Sequence, residues 1–422
     1  PRLSSSVCSN HSKAGYKKEI EEVKENKPLL PFFVLPPHDS IPISRYFFLF
    51  IQSKFTYFKY YLYLCRQKKK KMDKYITLSP EAKGRLNFLY LKIGNYLDTE
   101  NLQNRTLQYC KVFLSDSKNQ IKELQESLLY QEFLKDTNLT IVEQPPLDGS
   151  KISLLIKTTD DKTPILFHSL RLTEEEAKGK DSYEQTRMLF ERYLSLIADT
   201  DMTMERNLVR TWIYVTDIDV NYQGVVEARN DVFSQQGLTA DTHYIASTGI
   251  GGSTSVLNAS VAIDFLTIPD INEENKKYLQ ALEHLNPTHE YGVAFERGTR
   301  VTIPVHSVNS DGKQQFKQQY FISGTASIDK QGDVVYEGDI VRQTGRLLEN
   351  IGALLKDGDA TMNDIQYFII YLRDISDYHT VDRLMQQFYP QIPRIIVEAK
   401  VCRPGWLIEM ECIAEKESCS TE

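Results

Sequence analysis

The sequence predicts an α+β fold made of tandem copies of one unit, each a mixed sheet with helices packed on one face. Two observations carry this. A helix–strand–helix pattern occurs twice. Thr186-Arg187-Met188-Leu189 leads to Tyr214-Val215-Thr216-Asp217-Ile218, and Thr344-Gly345-Arg346-Leu347 leads to Tyr371-Leu372-Arg373-Asp374-Ile375. The interval from Thr186 to Asp217 equals that from Thr344 to Asp374 to within one position, the mark of a repeated unit. The composition is also globular: 41% hydrophobic and 25% charged over 422 residues, with room for two domains of ordinary size. A sheet covered on one face leaves the other in need of a partner. The copies should therefore pack on each other, or chains should associate.

The elements come in this order. Residues 79–135 read as helical, with Leu86, Leu89, Leu91 and Ile93 at helical spacing. Pro145-Pro146 breaks that pattern. Residues 151–157 read as a strand. Residues 181–199 read as an amphipathic helix through Met188, Leu189, Tyr193, Leu194 and Ile197. A strand over 209–216, a helix over 221–236, a Gly/Ser-rich turn at 247–255 and an apolar strand at 256–266 complete the first copy. Residues 267–290 are polar and read as a linker. The second copy has strands at 299–306 and 317–328, with a hairpin turn at 329–333 after them. A helix at 339–356, a strand at 364–373, a helix at 376–389 and strands at 394–402 and 406–415 complete it.

Charge is unevenly spread. Residues 1–71 hold 14 Lys+Arg against 5 Asp+Glu, and residues 72–422 hold 36 against 52, so a segment of +9 precedes one of −16. Between 46 and 63 more than half of the side chains are Phe or Tyr, and four lysines follow at 68–71. A membrane anchor fits poorly, because Gln52, Lys54 and Lys59 interrupt the run and about 20 apolar residues are needed to span. A secretory signal carries its positive charge before the apolar stretch, not after it. The expectation is that the working chain starts at Met72. Residues 1–71 would then be a disordered or spurious leader, 72–285 a helical segment plus a first domain, and 286–418 a second domain. The acidic remainder predicts a cytoplasmic protein that binds no membrane and no nucleic acid, which relies on basic surface. Six Cys show no CxxC pair and no Cys/His cluster, so neither a disulfide scaffold nor a metal site is expected.

Four motifs fall in order along the second copy: Phe321-Ile322-Ser323-Gly324, Tyr371-Leu372-Arg373-Asp374, Pro393-Arg394, and the terminal run from Ile408-Glu409-Met410-Glu411 to Cys412-Ile413-Ala414. With them the region 290–415 resembles the RidA/YjgF family. That resemblance implies a chorismate-mutase-like fold, usually trimeric, with sites between sheets. In the first copy, Arg210-Thr211-Trp212-Ile213-Tyr214 and Thr248-Gly249-Ile250-Gly251-Gly252 resemble instead the N-terminal half of the chorismatases. These are two-domain relatives that release pyruvate from chorismate.

The candidate site residues come from both sources. If 406–415 is a regular strand, Trp406, Ile408, Met410 and Cys412 share one face, and Leu407, Glu409, Glu411 and Ile413 the other. Periodicity alone allows Glu409 and Glu411 to be a solvated pair. The resemblance makes Glu409 the catalytic acid/base, a role that needs burial to raise its pKa, and leaves Glu411 structural. Arg394 precedes Glu409 at the RidA interval, where that resemblance implies a grip on a substrate carboxylate. Cys402 falls between the two. The chorismatase resemblance implies a product-determining role there, and an inert buried cysteine is the alternative. Arg403 and Arg210 are candidates for binding further carboxylates. Gly249 and Gly251 would wall the pocket, with Tyr244 just before them. Ser323 and Gly324 match the RidA pocket turn, and Phe295 and Arg297 fall where the relatives line their pockets.

The leading expectation is a cofactor-free, chorismatase-like enzyme acting on a small-molecule carboxylate. The alternatives are a RidA-like enamine/imine deaminase and a non-catalytic metabolite-binding protein. The assembly is expected to be a homotrimer or an intramolecular pseudo-oligomer.

Overall fold

The computed structural model describes residues 73–79, 86–101, 105–159, 165–308 and 314–419. The expectations for the leader at 1–71 and for a start at Met72 lie outside the described residues.

Among the described residues three sheets are present, and each is built the same way. In the first unit β1 (Asp73–Leu78), α1 (Leu86–Asn101), β2 (Thr106–Leu114), α2 (Ser117–Glu126), β3 (Leu139–Glu143) and β4 (Ile152–Thr159) give the strand order β1-β4-β2-β3. Asp116 starts α2 by accepting from the Asn119 N–H at 3.1 Å. In the second unit β5 (Leu166–Leu170), α3 (Ser182–Ile197), β6 (Leu208–Val215), α4 (Ile218–Gln235), β7 (Ala246–Gly251) and β8 (Val261–Thr267) give β5-β8-β6-β7. Here a capping box between Asp181 and Glu184 opens α3.

A short strand β9 (Lys276–Tyr278) and β10 (Gly298–Val308) lead into the third unit. There β11 (Gln314–Ala326), α5 (Ile340–Asp357), β12 (Ile365–Leu372), α6 (Tyr378–Phe388), β13 (Arg394–Glu398) and β14 (Ile408–Cys419) give β11-β14-β12-β13, extended by β10 and β9 at the β11 edge. In every unit the middle pair is antiparallel and the last pair parallel. The central strand also shifts register at one matching place: between Leu107 and Tyr109, Leu208 and Arg210, and Ile365 and Tyr367. Three bulges at one register align the units residue by residue.

The region 79–135 is therefore part of a third copy of the unit, not a helical segment ahead of two. It holds strand β2, whose last six residues are all buried. That strand lacks the alternation that separates a strand from a buried helical run. The stretch 247–255 is likewise not a turn but begins within β7, parallel to β6. Glycine serves closeness there rather than turning. A Cβ on Gly251 would lie 2.9 Å from the backbone N and O of Lys400, whose carbonyl accepts the Gly251 N–H at 2.9 Å. The apolar strand after it starts at Val261, and the strand from Arg394 ends at Glu398.

Each unit meets the other two. Backbone bonds join Glu143 to Ser253, Leu147 to Ile396 and Glu398 to Pro145, so the Pro145-Pro146 break delivers the chain to the edge of β13. Between the sheets lie buried, ion-paired carboxylates. Asp264 accepts from Thr140 at 2.7 Å and faces Lys111 at 3.5 Å and Arg171 at 3.1 Å. Asp73 binds Lys157 at 3.1 Å and Lys317 at 2.7 Å. Glu411 accepts from Arg210 at 2.8 Å and from the Trp212 Nε1–H at 2.7 Å. The sheet faces left uncovered by helices thus cover one another, and the intramolecular pseudo-oligomer is the arrangement present. Among the described residues no helix is long and apolar enough to cross a membrane.

Candidate functional site

The shared bulge makes Tyr367, Arg210 and Tyr109 equivalent positions. One position further on, Phe368, Thr211 and Cys110 pair with Arg394, Ser247 and Leu139 on the parallel neighbour strand. By the same alignment Glu409, opposite Tyr371, matches Ala262, opposite Tyr214, and Ser153, opposite Phe113. Glu409 and Ser247 line one cavity, between the second and third units. Arg394 and Ser153 line another, between the third and first. Arg394 is thus in the wrong cleft to serve Glu409, and it is ion-paired with Asp382 at 2.9 Å. The interval between Arg394 and Glu409 is that of the family, but the two groups face different neighbours.

The Glu409 cavity encloses about 400 Å³, within the range of small-molecule sites. Strand β14 sends Glu409 and Glu411 to its inward face, as alternation requires, while Ile408, Met410 and Cys412 pack into the core. Glu409 is 5% exposed. Burial pushes its carboxyl up to about 8, with Glu411 adding to the rise and Arg210 and Arg297 opposing it. At neutral pH it is mostly a protonated acid.

Gly324 makes this placement possible, because a Cβ there would overlap the Glu409 carboxyl and press on Thr248. Gly324→Ala should move the carboxyl and lower any Glu409-dependent turnover by roughly 100-fold, the usual cost of a misplacement of about 1 Å. Unchanged kcat would contradict this.

Three arginines and three rings interleave along the cavity wall. The Arg403 guanidinium lies 4.7 Å from the Trp406 ring centroid and 5.0 Å from that of Tyr291. Arg297 lies 5.4 Å from Tyr291 and 5.6 Å from Phe295, and Arg229 lies 5.6 Å from Phe295. Cation–π stacking holds such guanidinium groups without neutralising them. Arg297 also donates to the Asn286 carbonyl at 3.1 Å, and Arg403 to the Gly332 carbonyl at 2.8 Å. Arg229 is 1% exposed, and its Nε and Nη2 have no hydrogen-bond partner among the described residues.

Cys402 lines the same cavity, brought there by the turn after β13. Burial, with the nearby Glu409, pushes its thiol up to about 12. Iodoacetamide at pH 8 should therefore label Cys402 at least ~100-fold more slowly than a free cysteine. Labelling at the free rate, read by mass spectrometry, would contradict this.

Of the candidate residues, Gly249, Gly324, Phe295, Arg297, Cys402, Arg403 and Glu409 line this one cavity. Besides Arg394, four others do not line the cavity. Arg210 is fully buried and occupied by Glu411, Thr248 and Ser323. Ser323 is consumed in accepting from the Ser247 N–H and donating to the Glu296 carbonyl. Gly251 serves the approach to Lys400. Tyr244 lines a separate small hollow of about 150 Å³ with His243 and Glu296.

Tyr222, Arg229, Tyr291 and Trp406 also line the cavity and were not singled out by sequence. Arg229 was detectable: it falls in the apolar stripe of α4, three and four positions from Val226, Val225, Val232 and Phe233. A charge there must be buried.

A ring of three RidA-type units, with an acid in one of its clefts, defines the class of this protein. Similarity to known proteins agrees. A family model described as Endoribonuclease L-PSP matches residues 310–416. A RutC family protein of Pyrococcus abyssi is 34% identical over 99 residues, covering 23% of this chain and 78% of that protein. The 3-aminoacrylate deaminase RutC of Acinetobacter baylyi is 30% identical over 96 residues, covering 22% of this chain and 76% of that protein. The chain belongs to the RidA/YjgF (RutC) family. A chorismatase crystal structure superposes with a TM-score of 0.56 at 16% identity, covering 81% of this chain and 98% of that one. The fold is therefore chorismatase-like over most of the chain.

Proposed function

We propose that this protein is a chorismatase-like enzyme that releases pyruvate from chorismate or a related enol-ether dicarboxylate. The observation that carries the reading is Glu409: a buried carboxyl pushed up to about 8 in a cavity walled by three arginines. Such a group is a proton donor at neutral pH.

The chemistry balances on the chain's own groups and water. The Glu409 proton goes to the terminal methylene of the enol ether, and the C=C electron pair forms the new C–H bond. The adjacent carbon becomes an oxocarbenium centre stabilised by the ether oxygen. The Glu409 carboxylate then takes a proton from water as the water oxygen bonds to that carbon. Collapse of the hemiketal breaks the bond to the ring oxygen, which leaves protonated, and frees pyruvate. Attack by a ring oxygen instead of water would give a rearranged product. Cys402, which lines the cavity near Glu409, is the side chain we assign to that choice. Guanidinium groups offer the carboxylates paired donors.

The RidA-type deaminase reading is weaker, because its carboxylate-gripping Arg394 shares a cleft with Ser153, not with Glu409. The test is incubation of the wild type with chorismate, with pyruvate read by a lactate dehydrogenase couple. Pyruvate above background supports the proposal. None, with ammonia released from an enamine substrate, would replace it by the deaminase. Ligand-induced thermal shift without turnover would replace it by a binding protein.

A further inference from the structure

The ring of units has a third cleft, built like the other two. The Glu409 cavity sets α4 and β7 of the second unit against β11 and β14 of the third, and the Arg394 hollow sets α6 and β13 of the third against β1 and β4 of the first. Completing the ring, α2 and β3 of the first unit face β5 of the second across a hollow of about 510 Å³. Its chemistry is different. The strand position held by Ser247 and Arg394 in the other clefts is Leu139 here, and the position of Glu409 is Ala262. Glu409 lines one of the other clefts, and Asp148 and Asp382 line the other. No carboxylate is among the residues described as lining the third, whereas Lys135, His168 and Arg171 are.

Arg171 follows directly on β5. Its Nη1 donates to the Leu170 carbonyl at 2.9 Å and to Asp264 at 3.1 Å, and its guanidinium lies 5.5 Å from the Tyr214 ring centroid. Its Nη2 is buried and has no hydrogen-bond partner among the described residues. Asp264 does not cancel the charge, because it also faces Lys111 at 3.5 Å, so one carboxylate answers two cations. Glu411, two strands away, is taken by Arg210. His168 on β5 likewise has a buried Nδ1 with no partner among the described residues. Burial holds its ring below the ordinary value, so the ring is neutral and can place its one N–H there. Buried donors without acceptors are costly, and an anion supplies acceptors. The rest of the lining is largely apolar, with Ile121, Ile141, Phe167 and Val256, a surface that the body of an organic anion covers and an inorganic one does not.

We propose that the hollow between the first and second units is a separate binding site for a small organic carboxylate, held by Arg171 with its body against the apolar lining. With alanine at the acid position, the site binds its ligand and does not turn it over.

The probe is 4-fluorobenzoate, titrated into the wild-type protein and followed by fluorine NMR. A bound resonance should appear that two variants assign to this hollow. Arg171→Met should weaken it ~10- to 100-fold, the scale of one charged hydrogen bond. Val256→Trp fills the hollow, leaves the Arg171–Asp264 pair in place, and should abolish it. Cys402→Trp, which fills the Glu409 cavity instead, should leave it unchanged. The neutral 4-fluorobenzamide should bind at least ~10-fold more weakly, and inorganic phosphate should not displace the benzoate. Circular dichroism melts confirm that the variants fold, and if Arg171→Met does not, Val256→Trp decides alone. A resonance that survives Val256→Trp or a folded Arg171→Met overturns the proposal. So does a wild type whose every bound resonance is lost in Cys402→Trp, or displacement by phosphate. Pyruvate release by the wild type does not enter the result.

Discussion

Glu409→Gln should lower pyruvate release from chorismate by ~10²–10⁴-fold, the range that positioned proton donors contribute. The substitution is nearly isosteric and removes the transferable proton. The wild-type kcat/KM should be level at neutral pH and fall above pH about 8, as the buried acid loses its proton. The same group predicts a stability effect. Its folded pKa lies above its ordinary value of 4.5, so folding takes up a proton between these two pH values. Its contribution is full below pH about 4.5 and is lost as pH rises to about 8. Glutamine has no such loss. The variant should melt like the wild type at pH 4 and be more stable at pH 9, on the order of 4 kcal/mol. Equal melting at pH 9 would contradict the raised pKa.

Arg210→Met should destabilise the protein by ~3–5 kcal/mol, the cost of breaking one side of a buried ion pair. Arg210 is fully buried and holds Glu411 at 2.8 Å across the second and third sheets. Without it, Glu411 keeps only the Trp212 Nε1–H among its described side-chain donors. The double change with Glu411→Leu should recover most of the loss, because removing both charges leaves neither stranded. Urea unfolding of the two variants measures this. A single variant as stable as the wild type would show that the pair contributes nothing to holding the sheets together.

Most of the second and third units was readable from sequence because their helices are amphipathic and their strands are bounded. The helix expected at 339–356, for example, is Ile340–Asp357. The first unit was readable only in part: the strand expected at 151–157 is Ile152–Thr159, but the strands before it were missed. Its β2 is buried along most of its length and carries no alternation, so a third copy passed as a helical segment. The candidate acid came from the motif: strand parity put Glu409 and Glu411 on one face, and only the resemblance chose between them. The basic side of the site was less legible. Linear spacing linked Arg394 to Glu409, but spacing cannot say which of three clefts a side chain enters. That depends on which unit packs beside it, and Ser247 and Arg229 are supplied to the Glu409 cleft by a different unit from the one that carries the acid.

The central claim is that Glu409 delivers a proton to the enol-ether methylene within this cleft. It is tested most directly by turning over chorismate in D₂O and reading the pyruvate methyl group by NMR. The account predicts pyruvate carrying one deuterium, formed by the wild type and not by Glu409→Gln. No pyruvate from the wild type, or equal release by the variant, would contradict it.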